Sequence, residues 1–188
     1  NQECVDQDGN TLGFRWLKND ERVYLTPIGI INKNVLCGCT MVFHNNFYKY
    51  IVDEKRRPSS EIVNIKNHDG WIAIIASLMN GIVYDNRSFI KYRQHSNNVV
   101  GIRKANRFQK WKMRFKKIFC KSQRCPRSKI SREILLKYPD IATNVELIKV
   151  FANANSLKGK KELLKHEDEI RRYLGEGKLM FKLKVLLG

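Results

Sequence analysis

Asp69 is the carboxylate best placed in this sequence to act as a base. It follows His68 at a polar tip, Asn67-His68-Asp69-Gly70, and leads into Trp71-Ile72-Ala73-Ile74-Ile75-Ala76-Ser77-Leu78-Met79. That stretch is apolar nearly all the way round, and a helix with no solvated face belongs in a core. Its first turn would fix the Asp69 carboxylate at the lip of a buried element, where a catalytic base is well held. The same place suits a helix N-cap, where free N–H groups and the helix dipole attract negative charge. Both readings are open on the residues alone. Gly38, within Cys37-Gly38-Cys39-Thr40-Met41-Val42-Phe43, points to close approach of a ligand or of another backbone. Asp6-Gln7-Asp8 has the spacing of a DxD metal motif, but acids before Gly9-Asn10 are ordinarily turn formers. Cys37 and Cys39 would share one face of a strand, a geometry that rarely bridges. Cys120 and Cys125 lack a partnering CxxC or a nearby His set, so zinc is not expected.

The elements that must position these residues are expected as follows. Pro27 opens a short helix over 28–34. Residues 37–43 read as a buried strand. Asn45 or Asn46 caps a helix over 47–52. Residues 53–60, with Pro58-Ser59-Ser60, form a polar loop of the kind that covers substrate sites. Gly81 ends the central helix with a positive φ. Two strands, 82–85 and 88–93, flank a turn at Asp85-Asn86-Arg87. Beyond Ile102 no strand pattern occurs. Helices are expected near 103–120, 128–138, 143–154 and 157–174, with a short one over 178–187, broken at Pro126, Pro139, Asn155-Ser156 and Gly175-Glu176-Gly177. The reading is thus an α/β region over 1–102 followed by an all-helical region over 103–188.

Composition narrows the class. The chain has 188 residues, 43% of them hydrophobic and 29% charged, enough for a real core. No apolar run approaches the roughly 20 residues that span a bilayer. The opening residues carry neither the basic region nor the apolar core of a signal peptide. With five cysteines in no disulfide-like pattern, reduced thiols and a cytoplasmic setting are expected, peripheral to the inner face of a membrane if bound there. Lys and Arg total 36 against 18 Asp and Glu, a formal net charge of +18. Residues 103–132 hold no acid among their many bases, and such a block seeks phosphate, whether of nucleic acid, anionic lipid or substrate. Phe108, Trp111, Phe115 and Phe119 recur at helical spacing there, so the segment 103–121 suits an anionic membrane surface. An ordinary helix packing those aromatics inward fits equally. Nucleic acid is the disfavoured partner, because no motif of known docking geometry is present.

Four pieces in order carry a resemblance. They are Val5-Asp6-x-Asp8-Gly9-Asn10-x-Leu12-Gly13, Gly38-Cys39-Thr40-Met41, His68-Asp69-x-Trp71, and Tyr92-Arg93-Gln94-His95-x-Asn97-Asn98-Val99-Val100-Gly101. Over about residues 1–103 the chain resembles the second half of family 2 glycosyltransferases of the GT-A fold, in particular rhamnosyltransferase-like enzymes of bacterial surface polysaccharide synthesis. The resemblance implies a partial GT-A-type mixed sheet with flanking helices. It implies an inverting transfer of sugar from a nucleotide-diphosphate donor to a saccharide or lipid-linked acceptor. Asp69 would be the general base. His68 and Trp71 would flank the acceptor, and Gly38, Cys39 and Thr40 would line its floor. Arg93, Gln94 and His95 would lie toward the diphosphate, and a divalent metal, Mn or Mg, would assist, with His95 a candidate ligand.

The family's nucleotide-binding half has no counterpart before residue 37. The chain is therefore expected to be the acceptor-side portion, binding nucleotide sugar weakly and not turning over alone. The competing expectations are a basic nucleic-acid-binding module and a non-catalytic remnant completed by a partner chain.

Overall fold

The computed structural model of the chain describes residues 1–14, 25–32, 36–79, 81–95, 126–142, 146–174 and 177–187. It is mixed α/β, with a small three-stranded sheet and many helices. The chain divides into two compact units, Asn1–Glu21 with Val83–Phe115, and Arg22–Ile82 with Lys116–Gly188. The boundary expected at residue 102 lies outside the described residues.

In the first unit, β1 (Gln2–Val5) is the central strand. β2 (Thr11–Phe14) pairs antiparallel to it, with Glu3 opposite Phe14 and Cys4 opposite Gly13. β3 (Ile90–Arg93) pairs parallel, with Gln2 opposite Ile90 and Val5 opposite Arg93. Gln2, Cys4 and Val5 are buried, as a strand flanked on both edges should be. The turn from β1 to β2 is organised by Asp6. Its carboxylate accepts from Asp8 N at 3.0 Å, Asn10 N at 2.8 Å and Asn10 Nδ2 at 3.1 Å. These hydrogen bonds hold the Asp6 carboxyl below its ordinary range. Asp6-Gln7-Asp8 is thus a turn. The strand expected over 82–85 is not formed: Val83 is 99% exposed, and Asp85 instead accepts from Arg87 N at 2.9 Å and pairs with the Arg87 guanidinium. An Asx-type bond of this kind gives the backbone a local alternative to a ladder.

In the second unit, Thr26 caps α1 (Pro27–Asn32), its hydroxyl accepting from Gly29 N at 3.2 Å. Residues 37–43, expected as a strand, instead contain a single 3₁₀ turn over Gly38–Thr40. Thr40 donates both its backbone N–H and its hydroxyl to Cys37 O, each at 2.9 Å. That closes the turn locally and leaves Val42 97% exposed. α2 (Asn45–Ile51) is capped by neither asparagine; His44 Nδ1 accepts from Asn46 N at 3.3 Å. The expected loop at 53–60 carries a 3₁₀ turn, Glu54–Arg56, capped by Asp53. α3 (Ser60–Met79) follows, broken at Asn67 within the polar tip read as a helix start. Gly81 follows with φ 86°, and its N–H bonds back to Ala76 O at 3.0 Å.

The later described helices are α4 (Pro126–Lys137), α5 (Pro139–Ala142), α6 (Glu146–Ala152), α7 (Leu157–Lys165), α8 (Glu167–Leu174) and α9 (Lys178–Leu187). The helix expected over 157–174 is two, meeting at His166. The basic helix expected over 103–120 lies outside the described residues. α1, α3, α4, α6 and α8 share one core, led by Ile30, Ile74, Ile75, Ile134, Ile148 and Ile170. Fully burying a side chain of that size contributes about 1.5–3 kcal/mol. The described helices beyond residue 125 therefore complete the core around α3.

Candidate functional site

Asn67 interrupts α3. Its φ of 60° and ψ of 166° are non-helical and lie in a region almost reserved for glycine. A residue held there costs of order 1–3 kcal/mol and persists only where its surroundings impose it. The imposing forces lie on both sides. Before the break, Ile62 and Lys66 are buried; after it, every residue from Gly70 to Met79 is at least partly buried. The two segments each dock an apolar face, and Asn67 absorbs the difference in direction. The result is an exposed Asn67-His68 tip with half-buried Asp69 on the new first turn. Asp69 Oδ1 accepts from Gly70 N at 2.7 Å. The carboxylate therefore touches the N–H of the residue beside it, where a capping side chain takes the N–H two or three residues on.

Around this tip the chain gathers three charged groups. The Lys66 side chain is buried, and its Nζ donates to Ile31 O at 3.0 Å. Burial pushes the Lys66 ammonium down to about 8; Arg127 pushes the same way, and Asp69 opposes them. Arg127 Nη2 donates to Asn32 Oδ1 at 2.5 Å, which ties α4 to the end of α1. Gly38 closes the other side. A Cβ placed there would lie 3.5 Å from Asp69 Cβ and 3.7 Å from His68 Nε2. Three of the sequence-predicted residues, Gly38, His68 and Asp69, thus meet. The contact distances are ordinary, so nothing among the described residues forces residue 38 to be glycine.

The remaining predicted residues fall elsewhere. Cys39 and Thr40 are exposed on the Gly38 turn. Trp71, expected beside an acceptor, is 3% exposed and packs on Tyr138 with ring centroids 6.0 Å apart. Its place on the inward face of α3 makes it a core residue. Arg93, Gln94 and His95 belong to the other unit, where Arg93 ends β3. Gln94 N donates to Val5 O at 2.7 Å and extends the parallel ladder, while Arg93 and His95 are exposed. Residues 96–101 of the same motif lie outside the described residues.

No family model, curated protein or solved structure matches the chain.

A second cluster has no signal in the sequence, because its members are far apart. Arg56 stacks over Tyr50, 3.8 Å from the ring centroid, and lies 5.2 Å from that of Tyr138. Its Nη1 bonds Asp140 Oδ1 at 3.1 Å, and the Tyr50 hydroxyl donates to Asp140 Oδ2 at 2.5 Å. Burial, then the Asp140 hydrogen bond, pushes the Tyr50 hydroxyl up to about 12. This hydroxyl holds its proton at neutral pH and works as a donor. The cluster pins the expected polar loop down onto α5. As for metal, the described residues include no group of three His, Cys, Asp or Glu side chains able to hold an ion. Asp6, the first acid of the DxD-like spacing, is engaged in its turn.

Proposed function

We propose that the chain is the acceptor-side portion of an inverting sugar transferase related to the GT-A type, with Asp69 as the general base. The acceptor hydroxyl gives its proton to an Asp69 carboxylate oxygen as its own oxygen attacks the anomeric carbon. The nucleotide diphosphate leaves from the opposite face. The observation that carries the reading is the strained turn at Asn67. It sets His68 and Asp69 at the mouth of an embedded helix, beside a glycine whose missing side chain its neighbours do not demand. Backbone strain of this kind collects at functional sites. A plain N-cap needs no such strain, since Asp at an ordinary helix start satisfies the same N–H groups. Glycine at 38 leaves bare backbone beside His68 and Asp69, against which an acceptor sugar would lie. The basic segment 103–121 is assigned to anionic lipid, where lipid-linked acceptors reside.

Transfer assays on the native protein from its source, offered nucleotide-diphosphate sugars and saccharide acceptors, test this. Asp69→Asn should cut kcat by about 10²–10⁴-fold, the usual contribution of a general base, with little change in acceptor KM. Gly38→Ala, for which the fold has room, should raise acceptor KM instead. Wild-type turnover by Asp69→Asn, or no transfer from any donor, would overturn the proposal.

A further inference from the structure

Cys37 and Cys39 present two thiols side by side. Their Sγ atoms are 3.6 Å apart, Cys39 is exposed and Cys37 half-buried, and neither is in a disulfide. The reason is the 3₁₀ turn. In a strand, residues two apart are separated by about 6.6 Å, near the upper limit for a bridge. In a 3₁₀ helix the rise is only ~2 Å per residue, so the same two positions draw together. Cys37 enters the turn with an extended backbone, φ −124° and ψ 132°, and its carbonyl takes both hydrogen bonds from Thr40. Gly38 between them carries no side chain to obstruct either sulfur. Cys4, by contrast, is buried in the sheet of the other unit.

We infer that Cys37 and Cys39 form a reversible dithiol–disulfide pair that closes by exchange with a low-molecular-weight disulfide of the glutathione type. One cysteine, as its thiolate, attacks a sulfur of oxidised glutathione. A mixed disulfide forms, the glutathione S–S bond breaks, and one glutathione thiolate leaves and takes up the proton the cysteine gave. The second cysteine then loses its proton and attacks the protein sulfur of the mixed disulfide. The intramolecular bond forms, and the second glutathione leaves as its thiol. The two protein thiols are oxidised, one oxidised glutathione becomes two reduced molecules, and the chain is lighter by two hydrogen atoms. Proximity drives the second step, because the resolving thiol is already beside the bond it must break. Nothing in this chemistry depends on sugar transfer.

The test is peptide mapping after incubation with oxidised glutathione, acid quenching and alkylation. Cys37 and Cys39 both lie in the tryptic peptide of residues 34–49, apart from the other three cysteines. In the wild-type chain that peptide should appear unalkylated and two hydrogens lighter, and reduction should restore it. Cys37→Ser and Cys39→Ser should instead retain a single glutathione adduct on the surviving thiol. Its occupancy should be at least about tenfold that in the wild type, where the resolving thiol removes it. Both substitutions lie on a surface turn, so the fold survives them. A wild-type peptide that stays fully alkylatable, or that accumulates glutathione adducts as the single variants do, would overturn the inference.

Discussion

At the scale of the residue, Asn67 decides the geometry of the candidate site. A side chain there works against its own backbone, so glycine should relieve it. Asn67→Gly removes a strain of order 1–3 kcal/mol. Against that stands the extra freedom glycine gains in the unfolded chain, about 0.4–1 kcal/mol. Relief wins, and the variant should be more stable by about 1 kcal/mol. Urea denaturation should show a higher midpoint at unchanged slope. A lower midpoint would mean that the Asn67 side chain contributes more than its backbone costs. Sequence reading found the carboxylate and the buried helix behind it, because both rest on apolar patterning. It could not find the broken helix. Residues 60–66 carry their own buried positions, Ile62 and Lys66, and whether two apolar stripes join straight or through a strained residue depends on the surfaces they meet. Gly38 reads as a place of close approach, whereas its described neighbours lie at ordinary contact distances. Its pairing with Asp69 was not legible, since it joins a surface turn to a helix start about 30 residues later.

At the scale of the element, short connections set the packing. α6 hands over to α7 through a turn in which Asn153 O receives both the N–H and the hydroxyl of Ser156, each at 3.0 Å. Ser156 Oγ then accepts from Gly159 N at 2.9 Å and caps α7. The turn folds so far back that a Cβ on Gly159 would sit 1.8 Å from Asn153 O and 2.4 Å from its carbonyl carbon. Helix propensity alone favours Gly159→Ala by about 1 kcal/mol. Overlap with backbone cannot be relieved by a rotamer change, and overpacking of this kind costs about 1–3 kcal/mol or more. The clash should prevail, and Gly159→Ala should lower the urea midpoint. An unchanged or raised midpoint would show that the turn yields freely. The breaks at Pro139 and Asn155-Ser156 were readable from turn chemistry, whereas the strand expected over 37–43 failed on a local contest. Thr40 satisfies Cys37 O twice within its own turn, so no ladder is needed there. The Tyr50, Arg56, Tyr138 and Asp140 cluster lay beyond sequence reading altogether, because only the tertiary fold brings residue 50 to residue 140.

At the scale of the whole molecule, charge outweighs any single pair. The described ion pairs are mostly short-range and exposed: Arg57 with Glu54, Arg87 with Asp85, Lys165 with Glu162. Exposed pairs of this kind contribute about 0–1 kcal/mol each, and salt weakens them. Against them stands a net charge of +18 on 188 residues, with 36 bases to 18 acids. A folded chain concentrates that excess, and self-repulsion opposes compaction. Both terms are screened over a Debye length of about 10 Å at 0.1 M salt. The repulsive one is the larger, because half of the bases have no acid to pair with. Sodium chloride raised from 20 to 500 mM should therefore raise Tm by several degrees; for chains of this size, 1 kcal/mol corresponds to about 2–4 °C. A scan of Tm against salt decides the balance: a flat or falling curve would mean that the native pairs, rather than the excess positive charge, govern stability.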